Sequence, residues 1–202
     1  MSETVLKAPP HTQPNAFTRA QLDWLPWLEP LAADALTLRH IASLVDAARV
    51  KSPYFRLLAR DPDALEARTR TDKDIFYNPD AGLPRAEREL AAAATSRFNG
   101  CLYCASVHAR HAATYSKRED DVDRLLETGV ETDLGERWNA IVAVSVALTA
   151  TPSAFEPAHV ERLRRAGLDD LAISDVIHAA AFFNWTNRLM LSLGEPAATS
   201  TP

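Results

Sequence analysis

Between Pro84 and His108 the chain spells a helical hairpin, and that hairpin narrows what the rest can fold into. Pro84 supplies a first-turn proline, the run through Arg85, Glu87, Glu89 and Ala91–Ala94 to Thr95 has strong helix formers, and Asn99-Gly100 stops and turns the chain. The next segment holds both cysteines of the protein, Cys101 and Cys104, with His108 four residues past the second. A helix advances about 100° per residue, so Cys104 and His108 lie about 40° apart and Cys101 about 60° from Cys104. All three face one way. Glu89, on the first helix, can fold back toward the His108 side. A carboxylate, an imidazole and two thiols are the parts of a thiol redox centre with a proton relay.

Helical punctuation continues on both sides. Pro9, Pro10 and Pro14 with few large apolar residues make residues 1–16 a flexible or extended arm. Residues 17–78 read as an N-terminal helical region packing on the core. Within it, Phe17 to Leu28 gives a short helix and hydrophobic clasp, and Pro30 to Val50 keeps helical spacing. Ser52-Pro53 and Asp61-Pro62 each start a further helix. The charge-rich stretch with Arg68, Arg70, Asp72, Lys73 and Asp74 is expected to be solvated, and the turn residues 78–82 mark an internal boundary. Residues 79–194 form the core unit: the hairpin, a short helix closed by Gly129, an uncharged helix from Gly135 to Ala150 capped by Asp133, a helix from Pro157 to Gly167, and a last one from Leu171 to Leu193. Residues 195–202 read as a flexible polar tail. No alternating strand pattern occurs, so the fold class is all-α.

Composition excludes several function classes. At 47% hydrophobic and 24% charged, 202 residues can bury a core. A net charge of -5, with the positive residues interleaved among acids, leaves no basic stripe for nucleic acid. Glu3, Pro9 and Pro10 interrupt any secretory signal, and the run from Trp138 to Phe155 is too polar to span a membrane. The expected location is cytoplasmic, with no membrane partner. In that compartment a CxxC pair is more often catalytic or metal-binding than a staple.

Thioredoxin-like redox chemistry would place the pair after a strand in a βαβ pattern, which is missing. A closed zinc site would need Cys101, Cys104 and His108 with His111 or a carboxylate, and His111 is expected off the Cys104 face. In the bland alternative both cysteines are small buried hydrophobes and His108 is a satisfied core histidine. Against it stands the helix start, whose unpaired N–H groups and dipole favour thiolate at both cysteines. His108 can take and return the thiol proton, and Glu89 can orient the imidazole. No cofactor and no metal is assigned. Glu87 points about 200° from Glu89 and reads as a surface charge; His178 reads as a bonded core histidine. Asn184, Asn187 and Arg188 are read as bordering the site or a subunit contact, or as bonded within the bundle, and the tryptophans as core or interface aromatics.

Glu89, eleven intervening residues, then Cys101-x-x-Cys104-x-x-x-His108 resembles the active-site signature of the alkylhydroperoxidase D and carboxymuconolactone decarboxylase-like superfamily. Asn99-Gly100-Cys101 and the closing segment from Phe183-Asn184 to Leu193-Gly194 look like its peroxidase-related branch. The resemblance implies an all-α bundle with the CxxC at a helix N-terminus, acting as a CxxC-dependent peroxidase or thiol-disulfide oxidoreductase. It assigns peroxide attack to Cys104, resolution to Cys101, and proton relay to Glu89 and His108. The partners it implies are a small hydroperoxide substrate, a dithiol reductant and other copies of the chain in a trimer or hexamer. One departure shortens the relay: Tyr103 stands where the family's well-studied peroxidase has a second histidine. A decarboxylase-like enzyme on the same fold, a zinc-binding module and a redox sensor are the rival readings.

Overall fold

The computed structural model describes residues 5–7 and 11–199. In chain order it has β1 (Leu22–Pro26), α1 (Leu38–Ser43), α2 (Pro53–Leu58), α3 (Pro62–Tyr77), α4 (Arg85–Phe98), α5 (Leu102–Ser116), α6 (Glu119–Thr128), α7 (Glu136–Thr149), α8 (Pro157–Arg165), α9 (Asp170–Leu193) and β2 (Gly194–Ala198), with short 3-10 turns on either side of α1. The fold is all-α in class, and α4 is its axis. Residues 87–96 of α4 are all buried, and the helix packs against α5, α7 and α9. Ala91–Ala94 explain how one helix serves three neighbours: methyl side chains let the surrounding helices approach its backbone closely. Leu90, Leu125, Ile141, Val144 and Val176 fill the space between.

The punctuation works largely as read. Asp61 and Asp169 cap α3 and α9 by accepting the Ala64 and Ala172 N–H groups at 3.1 and 2.8 Å. Gly135 is the residue that caps α7. Asp133 instead holds the turn before it, accepting from Gly135 N at 3.0 Å and Asn139 Nδ2 at 2.7 Å.

Several expectations need correction. The Pro30 to Val50 segment is not one helix: Val45 sits at φ 61°, in the left-handed region, and Asp46 starts a separate 3-10 turn. Residues 22–26 are a strand, not part of a short helix, and 195–198 are not a loose tail. β1 and β2 pair antiparallel, Trp24 opposite Pro196, with Trp27 N donating to Leu193 O at 2.8 Å. The clasp survives as a ribbon because Leu22 and Trp24 alternate inward with Asp23 outward, and the Trp24 indole donates to Met190 O at 3.3 Å. The expected arm is partly tied to it: Leu6 N donates to Trp27 O and Ala198 N to Thr12 O. Residues 1–4, 8–10 and 200–202 of the expected arm and tail lie outside the described residues.

Another correction concerns α3. Its charges are not all solvated, because Leu65, Arg68, Thr69 and Phe76 turn inward. A further one is Glu87, which is buried and takes Arg137 of α7 in a two-point ion pair at 2.7 and 2.8 Å. A helix buried on three sides has no free face at 200° from Glu89. His178, conversely, is exposed. No helix among the described residues is long and apolar enough to cross a membrane.

Candidate active site

The hairpin delivers the expected residues to one place. Gly100, at φ 77°, makes a reversal that side chains rarely permit, and Cys101 N then donates to Ser96 O at 3.0 Å. Cys101 is thereby the cap residue of α5 and Cys104 its third residue, so Cys104 and His108 share a face one turn apart. Packing of α5 on α4 brings the carboxylate to the imidazole: His108 Nδ1 lies 2.6 Å from Glu89 Oε2. Both groups are buried, Glu89 at 1% exposure.

Glu89 uses both oxygens, since Arg85 Nε donates to Oε1 at 3.2 Å from one turn earlier. Arg85 is itself held between the Tyr77 and Tyr115 rings, 4.1 and 4.3 Å from their centres. Burial alone would push the Glu89 carboxyl up. The His108 hydrogen bond and the charges of His108, His111 and Arg85 outweigh it and hold the group below its ordinary value. An ionised Glu89 keeps the proton of the His108 ring on Nδ1 and leaves Nε2 as the basic nitrogen. Phe183 and Phe76 fix the ring plane, with centroids at 4.0 and 5.1 Å.

The helix-start expectation of thiolate at both cysteines fails at Cys104. Cys101 is drawn below its ordinary value by hydrogen bonds from the Cys104 thiol, then from the Cys104 backbone N–H and the Asn187 side chain, against the cost of burial. Cys104 is pushed well above, first by the Cys101 sulfur it donates to and then by burial. Cys104, whose thiol donates to Cys101 and is buried, does not follow the dipole expectation. No disulfide joins the two sulfurs in this structure. Asn187 of α9 anchors the far side, accepting from Asn99 Nδ2 at 3.1 Å and donating to Ser96 Oγ at 3.0 Å.

Each sulfur looks into a different space. Cys104 lines a cavity of about 190 Å³ together with Glu89, His108, His111, Phe76 and Phe183. Cys101 lines a second, of about 240 Å³, walled by Trp24, Trp27 and Pro196 of the ribbon. His111 corrects the sequence reading. Seven residues return a helix to within about 20° of its starting direction, so His111 does share the Cys104 face, two turns on. Burial lowers its basicity, with Glu89 opposing. Arg85 was also missed, although its i,i+4 spacing to Glu89 was visible; Tyr54, Arg68 and Phe76 carried no signal. Arg188 is directed away, toward Thr151 Oγ1 at 3.2 Å. Among the described residues no group of three or more His, Cys, Asp or Glu side chains is arranged to hold a metal ion.

A model of the carboxymuconolactone decarboxylase family matches residues 62–147, from the start of α3 into α7. An uncharacterised peroxidase-related protein from Ralstonia eutropha JMP134, with an alkylhydroperoxidase AhpD core, superposes with a TM-score of 0.68 at 25% identity, over 80% of this chain and 86% of that one. A peroxidase-related protein from Silicibacter sp. TM1040 gives 0.62 at 26%, over 71% and 75%. The debrominase Bmp8 shares the fold at 18% identity, with a TM-score of 0.66 over 81% and 88%. No curated protein matches the sequence.

Proposed function

We propose that this chain, which belongs to the alkylhydroperoxidase D and carboxymuconolactone decarboxylase-like superfamily, is a CxxC-dependent peroxidase that reduces small organic hydroperoxides. One observation carries the reading: Cys104, His108 and Glu89 converge on a single cavity, with the carboxylate 2.6 Å from the imidazole. The raised pKa of Cys104 makes a base necessary, and the relay supplies one. His108 Nε2 takes the Cys104 proton while Glu89 stabilises the imidazolium. The thiolate attacks the outer peroxide oxygen, the O–O bond breaks, and His108 returns its proton to the leaving alkoxide, giving an alcohol and a sulfenic acid on Cys104. Cys101 then displaces water from that sulfenic acid to form the disulfide. An external dithiol reduces the disulfide and leaves as its own disulfide.

The experiment is a thiol count before and after one equivalent of an organic hydroperoxide. The reading expects both thiols to disappear and one alcohol to form per chain; retention of both thiols sinks it. The reading includes a cytoplasmic location, where the pair is kept reduced, and a trimer or hexamer, to which exposed Trp185 and Leu191 offer apolar surface; light scattering measures the assembly. A second reading, a decarboxylase-like enzyme, draws on the family model. It needs neither thiol, so full turnover of such a substrate by Cys→Ser variants would favour it.

A further inference from the structure

The far wall of the Cys104 cavity is cationic and under-bonded. Arg68 projects inward from α3 and lines the cavity with Tyr54 of α2. Its guanidinium is buried, with the side chain 7% exposed, and it lies 5.4 Å from the ring centres of both Phe55 and Phe182. Its Nε and Nη1 make no hydrogen bond of good geometry, and neither does the buried Tyr54 hydroxyl, whose polar neighbour is the Arg68 guanidinium itself. Asp72 approaches Nη1 only to 3.5 Å and is hydrogen-bonded instead to Arg49 Nη2 at 3.3 Å. Two guanidinium groups thus share one carboxylate, which leaves one positive charge in excess at this end. The acid elsewhere in the cavity, Glu89, is already taken by His108 and Arg85.

Buried donors without acceptors are costly, and a guanidinium beside a phenol hydroxyl has the fork geometry that grips a carboxylate. Between this wall and the relay lie Phe76, Phe183 and Met190, an apolar middle. We propose that the cavity takes an amphipathic carboxylate: Arg68 Nε and Nη1 and the Tyr54 hydroxyl hold the acid group, the aromatic middle holds the carbon chain, and a hydroperoxide on that chain meets Cys104. The site rests on the peroxidase reading only for its last clause, because the carboxylate seat exists whatever Cys104 does.

The test separates the two. Reduced protein is titrated calorimetrically with 4-phenylbutyrate and with its methyl ester. The acid should bind at least about tenfold more tightly, the ratio one charge-assisted hydrogen bond supports, and Arg68→Met should erase the difference. Tyr54→Phe, which keeps the ring, should reduce it by a few-fold and serves if Arg68→Met fails to fold. In turnover, a carboxylic acid hydroperoxide should exceed its methyl ester in kcat/KM by a similar factor, and Arg68→Met should bring the acid-to-ester ratio to about one. Equal binding of acid and ester by the wild-type protein overturns the proposal. So does an Arg68→Met loss that falls equally on acid and ester, which would assign Arg68 to the thiol and not to the substrate. Acid-selective binding with no peroxide turnover would retain the seat and remove the peroxidase.

Discussion

The two sulfurs of the CxxC stand three residues apart at one helix start, yet they occupy different chemical surroundings. Cys101 caps α5, receives hydrogen bonds from Cys104 and Asn187, and looks toward the ribbon. Cys104 is buried one turn before His108 and looks toward the relay. The better-stabilised thiolate is therefore on the side without the base, and the base is on the side whose thiol holds its proton. Low pKa and catalytic position are separable properties: the first follows from donors to sulfur, the second from what else lines the cavity.

Exchanging each sulfur for oxygen tests that separation most severely. Cys104→Ser should abolish peroxide-dependent oxidation, with no rapid sulfenate on Cys101 despite its lower pKa. Cys101→Ser should stop at a sulfenic acid on Cys104, trappable with dimedone and prone to overoxidation because no thiol condenses with it. Mass spectrometry after brief peroxide exposure reads both. Fast sulfenate on Cys101 would mean that thiolate population, not the relay cavity, selects the attacking atom.

Next in size is the relay. Glu89→Gln should cost about a hundredfold in peroxide reduction, since an amide cannot stabilise imidazolium. Glu87→Gln should leave activity per folded molecule unchanged and lower stability by about 1 kcal/mol, because its partner Arg137 is partly exposed. Glu89 also has a pH signature. Its folded pKa lies below the ordinary 4.5, so it binds fewer protons folded than unfolded. The stability it contributes is present above the unfolded value and is lost as pH falls through the lower folded one. Acid unfolding of Glu89→Gln should therefore be less steep below about pH 4.5 than that of wild type; parallel curves would show that the carboxylate is not held by the pairing described.

The convergence of Glu89, Cys104 and His108 was legible in the sequence because it is local. Proline at the start, Asn99-Gly100 at the turn and the 101-104-108 spacing fix a hairpin whose two helices must bring Glu89 toward His108. The cationic wall was not legible. Arg68 lies in a stretch of mixed charge, and its inward direction is decided by which face of α3 carries Leu65, Thr69 and Phe76, a pattern diluted by Arg70, Asp72, Lys73 and Asp74. The ribbon was not legible either: its strands are five residues each, one contains Pro196, and the partners are 172 residues apart at Trp24 and Pro196, so no local period announces them. The raised Cys104 depends on the hydrogen bond its thiol gives to Cys101 and on burial, neither of which the CxxC spacing encodes.

A smaller effect distinguishes the sulfurs by reagent. With iodoacetamide, mass-resolved alkylation should give Cys101 a midpoint under the ordinary 9.0 and Cys104 one above it. A Cys104 midpoint below that of Cys101 would restore the simple helix-dipole reading.

The smallest expected effect bears on the ribbon that shields Cys101. Gly194 begins β2 at φ 177°, extended backbone open to any residue, so the constraint there is space and not conformation. A Cβ at this position would stand 2.3 Å from Leu25 O and 2.4 Å from Cζ2 of Trp24. A carbonyl oxygen cannot swing aside as a side chain can, so Gly194→Ala must part the strands or tilt the indole away from Met190 O. Overpacking of this kind costs about 1–3 kcal/mol, which in a chain of this size lowers Tm by roughly 2–4 °C per kcal/mol. Because Trp24 walls the Cys101 cavity and not the Cys104 cavity, the loosened variant should alkylate faster at Cys101 while Cys104 keeps its wild-type rate and the relay keeps its activity. Equal acceleration at both sulfurs would mean that one opening serves the pair, and the two-sided description would fail.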